Sequence, residues 1–226
     1  MNWHTAFTIV HIGAGALALL SGIPPMLTAK GNKLHRRTGK VYSRSMLVVM
    51  LTAMVLSVVL PLIYGTQLKV FLFVIGLFSY YFVFSGLRAL KYHKPPKSKS
   101  PKWSDKTAAA LLLLGGIFLI GYNIYLNALL SPNPILVGFG IFAIVMAVGD
   151  LRRFQRPFDA KLNKFRWFYM HLGRMVGSYI AAFTAFVVVN VDFLPAIIVW
   201  AAPGIVGGIG ITVWIRYYKR KFEGVA

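Results

Sequence analysis

Every Lys and Arg in this chain of 226 residues, Lys69 excepted, lies beside alternate connections between apolar stretches. Hydrophobic residues make up 58% of the chain and charged residues 13%, whereas a soluble domain carries about a quarter charged residues. Such a composition reads as a lipid-embedded bundle. Seven stretches, near 5–28, 44–63, 69–88, 107–129, 134–150, 167–190 and 194–215, have roughly the length that crosses a hydrocarbon layer ~30 Å thick at ~1.5 Å per residue. Backbone groups in lipid must be satisfied within their own segment, so helices are predicted and not open strands. The fold expected is all-α, a polytopic membrane helix bundle of seven transmembrane helices forming one integral membrane domain over 1–226.

The charges orient it. Lys30, Lys33, Arg36, Arg37, Lys40 and Arg44 flank the first connection, and Arg88, Lys91, Lys94, Lys97, Lys99, Lys102 and Lys106 the third. Arg152, Arg153, Arg156, Lys161, Lys164 and Arg166 fill the fifth, and Arg216, Lys219, Arg220 and Lys221 close the chain. Basic residues are retained on the cytoplasmic side, which predicts an N-out, C-in topology. The short fifth stretch is included because six basic residues would otherwise fall outside. MNWHTAF lacks a basic n-region, so the first helix is expected to be a retained anchor. Trp3 and Tyr64 are expected at the outer boundary, and Tyr42, Trp103, Trp167, Tyr217 and Tyr218 at the inner one.

A net charge of +20 raises the question of nucleic acid. The basic residues are divided among short connections held against the bilayer, where anionic lipid headgroups are the nearer partner; nucleic acid is not expected. With no cysteine, thiolate chemistry, disulfides and iron–sulfur clusters are excluded.

Ionisable groups inside membrane helices mark candidate sites. The acids are Asp105, Asp150, Asp159, Asp192 and Glu223, and none falls near a predicted helix centre, which argues against a carboxylate-coupled carrier. His11 lies about two turns into the first helix, seven residues after His4, and stands as a separate outer-side feature. His35 and His171 both fall near the inner face, with Arg174 one turn after His171; His93 reads as solvated surface.

Two readings follow. In one, His35 and His171 ligate a b-type haem whose propionates are held by Arg36, Arg37 and Arg174. In the other, His35 meets headgroups or a backbone carbonyl, while Asp150, His171 and Arg174 form a polar cluster tying helices five and six together. Zinc on His35 and His171 would lack third and fourth ligands, so no metal site is expected, and no catalytic residue is assigned.

Glycines crowd helices one, six and seven, including the Gly173/Gly177 pair, and read as packing faces within the chain. Pro24–Pro25 and Pro203 are expected to bend or interrupt helices one and seven. A polar cavity beside those breaks would suit a facilitator or transporter of a small solute.

The runs HIGAGALALLSG (11–22) and KGNKLHRRTGKVY (30–42) resemble a bacterial family of predicted multi-pass membrane proteins, and HLGRMVGSYIAAFTAF (171–186) is similar to that family's later signature. The resemblance implies a bacterial inner-membrane protein and supplies no reaction. LHRRTG (34–39) is similar to the His–Arg–x–x–Gly pattern of membrane b-type cytochromes, which implies an axial haem ligand at His35; their additional in-membrane histidines are missing here.

Overall fold

Peptide groups find no water inside hydrocarbon, and each apolar stretch closes its own hydrogen bonds as a helix. The computed structural model describes residues 2–65, 69–92, 101–127, 133–155 and 164–224. His93 and the lysines and prolines of 93–100 lie outside the described residues, as do Arg156, Asp159 and Lys161. No strand occurs among the described residues, and seven helices are long and apolar enough to cross a membrane. They are α1 (Trp3–Leu27), α2 (Lys33–Tyr64), α3 (Val70–Ala89, followed by a 3₁₀ turn at Leu90–Tyr92), α4 (Trp103–Asn127), α5 (Pro134–Gln155), α6 (Arg166–Asn190) and α7 (Ala196–Glu223).

Several helices outrun the apolar stretches that announced them. α2 starts at Lys33 and not at 44, because Gly31 turns the chain at φ 80° and the Asn32 side chain caps the helix, accepting from the His35 amide at 2.7 Å. α4 starts at Trp103, and α5 and α7 run on to Gln155 and Glu223. A helix does not end where its residues become polar; it ends where capping or a turn stops it. The short fifth stretch becomes a helix of 22 residues, about 33 Å long.

α7 continues through Pro203 without interruption, and α1 runs through Pro24 and Pro25 to Leu27. Of the bend or interruption expected at Pro203, the interruption does not form. In α2 the irregularity lies elsewhere, in a π turn at Val55–Val59 where the Leu60 amide bonds to Val55 O. Pro61 has no N–H, so the carbonyl of Ser57, four residues earlier, lacks its ordinary α-helical donor. The Lys69 amide takes it at 3.0 Å. Ser57 is buried, and an orphaned carbonyl there would cost about 1–3 kcal/mol.

The chain forms two compact units, Met1–Tyr80 and Tyr81–Ala226. In the first, α1 and α2 pair as a hairpin around Ala18, Tyr42, Met46 and Leu60. Tyr42, expected at the headgroups, packs in this core. In the second, α4 pairs with α5 and α6 with α7, and α5 also touches α7.

Small residues set the spacing in the second unit. A Cβ on Gly116 would meet Gly140 O at 2.8 Å, so α4 and α5 touch backbone to backbone. Gly177 receives the Phe82 ring, and Gly207 receives Ile180. The glycines of helices six and seven thus serve intrachain packing in part, while Gly204, Gly208 and Gly210 face open space.

Candidate functional site

The second unit contains two carboxylates buried among arginines and tyrosines. Asp150, near the C-terminal end of α5, is 3% exposed. The Tyr81 hydroxyl of α3 donates to its Oδ2. Arg174 Nη2 of α6 donates to Oδ1 at 2.8 Å and to Oδ2 at 2.9 Å. Arg153, one turn further along α5, places Nη1 3.1 Å from Oδ1 and 2.9 Å from Met170 Sδ. The Arg174 guanidinium also lies over the rings of Tyr81 and Phe82, at 5.5 and 5.7 Å from their centroids. One carboxylate thus faces two guanidiniums, and Arg174 Nη1 is buried with no hydrogen-bond partner.

Gly86 is what lets α6 come so close to α3. A Cβ there would lie 3.0 Å from Met175 Sδ and 3.1 Å from Arg174 Cβ. The bare carbonyl of Gly86 accepts from His171 Nδ1 at 2.9 Å. A carbonyl can only accept, so the proton sits on Nδ1. His171 therefore ties α6 to α3, where the sequence reading had set it beside Asp150.

Asp105 occupies the first turn of α4 and is 4% exposed. It accepts from Arg88 Nε at 2.5 Å, Arg88 Nη2 at 2.6 Å, the Tyr92 hydroxyl at 2.6 Å and the Lys102 amide at 2.9 Å. Four donors fill its lone pairs. The last of them satisfies an amide at the start of the helix, as a capping side chain does. A cleft of about 10 Å³ adjoins both clusters, lined by Tyr81, Ser85, Arg88, Asp105, Arg153 and Met170 among others. That volume admits about one water and no organic substrate.

The remaining candidates lie in the first unit. His35 Nδ1 donates to Pro25 O at 3.0 Å, and Lys30 Nζ donates to Pro25 O and Met26 O, each at 2.9 Å. Together they cap the carbonyl end of α1, where positive charge is favoured. Burial holds the Lys30 ammonium pKa below its ordinary value. Arg36 and Arg37 are exposed on the first turns of α2.

His11 Nδ1 lies 2.8 Å from Thr52 Oγ1. The Thr52 hydroxyl gives its own proton to the carbonyl of Val48 at 2.7 Å, so it accepts from the imidazole. His11 thereby joins α1 to α2.

The structure brings Asp150 and Arg174 together. It puts His35 in one unit and His171 in the other, each bonded to a backbone carbonyl. Among the described residues no group of three or more His, Asp or Glu is arranged to hold a metal. Sequence reading missed Tyr81, Arg153, Arg88, Tyr92 and Asp105 as site residues. The available signal was scarcity: with five acids in the chain, any acid near a helix end should recruit whatever cations and phenols are within reach.

No curated protein and no solved structure matches the chain. Residues 1–102 match the model of a family described as "Predicted membrane protein (DUF2306)", and the N-terminal part of the chain is similar to that family.

Proposed function

We propose that this is a non-catalytic multi-pass protein of the bacterial inner membrane, N-out and C-in, whose cytoplasmic end is fastened by the Asp150 and Asp105 clusters and turns a basic surface toward anionic headgroups. One observation carries the reading: basic residues gather at alternate ends of seven spanning helices, with Lys69 the lone exception. Each span crosses once, so an odd number puts the termini on opposite sides, and the basic ends belong on the cytoplasmic one. Each basic residue near an anionic surface contributes about 1 kcal/mol of attraction. Both buried carboxylates are saturated by donors, which supports a fastening role and not that of an acid or base.

Reporter fusions test the orientation. A fluorescent protein after Ala226 should fold and fluoresce, and alkaline phosphatase after Gly65 should be active. The reverse pattern refutes it. The haem alternative is separated by absorption: this reading expects no Soret band in protein purified with haem supplied. A band that vanishes in His171→Ala would replace it. The facilitator alternative started from an interrupted seventh helix and a glycine-rich first helix; α7 is continuous, which removes the first of these grounds.

A further inference from the structure

We propose that one face of α2 is a binding site for an anionic phospholipid, with the headgroup phosphate on Arg37, Lys40 and Arg44 and the acyl chains on Leu47, Val48 and Leu51. The site rests on the reading above, which makes the basic end a headgroup-facing surface.

The site begins with the cap. Because Asn32 starts the helix at Lys33, the basic run is helical, and its spacing acquires meaning. Lys33, Arg37, Lys40 and Arg44 succeed one another by four, three and four residues, the step that keeps side chains on one stripe. All four are exposed, and Arg36 lies at the stripe's edge. Tyr42, Ser45 and Met46, on the opposite side, are buried.

No aspartate or glutamate occurs anywhere in residues 1–80. Among the described residues, the ion pairs all fall on Asp105 and Asp150 and none involves this ladder. The unit supplies no counter-charge of its own.

The depth also fits. α2 has 32 residues, about 48 Å, against a hydrocarbon layer of ~30 Å. The excess of roughly 18 Å is close to the length of the basic segment, which therefore lies at headgroup level.

The same stripe changes character one turn further on. Leu47, Val48 and Leu51 continue it toward the membrane interior and are 37%, 37% and 51% exposed. A face that is cationic at headgroup depth and apolar directly below it has the polarity profile of a phospholipid. A soluble phosphate or nucleic acid would have no use for the lower half.

The test uses the full chain, purified in a zwitterionic detergent and titrated with phosphatidylglycerol or phosphatidylcholine, with bound lipid counted by native mass spectrometry. Phosphatidylglycerol should be retained in preference. The triple variant Arg37→Gln/Lys40→Gln/Arg44→Gln should lose affinity on the order of 100-fold, three residues at the usual surface contribution. The charge-keeping variant Arg37→Lys/Arg44→Lys should keep most of it. Lys219→Gln/Arg220→Gln/Lys221→Gln removes equal charge from α7 and should change retention less than about threefold.

Equal losses from the two triple variants would overturn the site, as would phosphatidylcholine binding equally well. Displacement of the lipid by inorganic phosphate or by an oligonucleotide would overturn it too. None of these outcomes touches the reporter fusions, which alone decide the orientation. A ladder variant that elutes aggregated is replaced by Leu47→Ser/Leu51→Ser, which leaves every charge in place and should still weaken lipid retention; unchanged retention there overturns the acyl half.

Discussion

The Asp150 cluster makes a prediction whose sign depends on counting charges. Asp150→Asn leaves Arg174 and Arg153 facing each other with no carboxylate, and both are mostly buried, at 13% and 19% side-chain exposure. Breaking a buried pair by removing one partner costs about 3–5 kcal/mol, and the loss of a charged acceptor for Tyr81 lies within that range. Arg174→Met should cost less, because Asp150 keeps Arg153 at 3.1 Å and the Tyr81 hydroxyl, and the remnant is neutral. Tyr81→Phe should cost least, about 1.5–3 kcal/mol for one hydrogen bond to a charged group. The double variant Asp150→Asn/Arg174→Met should recover part of the Asp150 loss, since the residues are coupled. Equilibrium unfolding of the purified protein in mixed micelles would rank the four. If Arg174→Met proves more damaging than Asp150→Asn, or if the double variant is simply additive, the charge count is wrong.

Other outcomes follow from single contacts. Gly116→Ala should destabilise by about 1–3 kcal/mol, because the new methyl meets the Gly140 carbonyl and not a side chain that can swing away. Gly208→Ala, with nothing within 4 Å, should instead raise stability by about 0.5–1 kcal/mol; thermal unfolding of the pair distinguishes them, and matching signs would refute the packing argument. Asp105→Asn should release the start of α4, seen as faster amide exchange at Lys102–Lys106 with the rest of the helix unchanged. His11→Ala should cost about 0.5–1.5 kcal/mol, and Thr52→Val should give no further loss in the His11→Ala background. A Thr52 effect undiminished by the first change would show that the two side chains do not act together.

Helix number and class were legible because hydrophobic run length alone decides them in lipid. Boundaries were not, since Asn32 and Asp105 start helices by local hydrogen bonds that hydropathy does not register. The Asp150–Arg174 pair was readable because each residue is rare in its surroundings. Its companions were hidden for two reasons. Tyr81 sits among other aromatics in FSYYFVF, and which ring faces inward depends on helix rotation. The approach of α6 depends on Gly86, one small residue in a long apolar run. His171 shows the same limit: its type announces a bond, but only the fold shows that Gly86 O receives it. Pro203 does not interrupt its helix, because a proline in a long apolar helix need not stop it, whereas Pro61 sits beside a π turn and leaves a carbonyl for the distant amide of Lys69.

That turn gives the second helix an adjustable length. A five-residue π turn holds one residue more than an ordinary α turn would. Deleting any one of Val55–Val59 would close the wide turn into an unbroken α spiral and leave Leu60–Tyr64 facing nearly as before, since the π turn makes its circuit with one residue more. Chains descended from a common ancestor should therefore be able to gain or lose one residue at this turn while Leu60 and Pro61 stay buried.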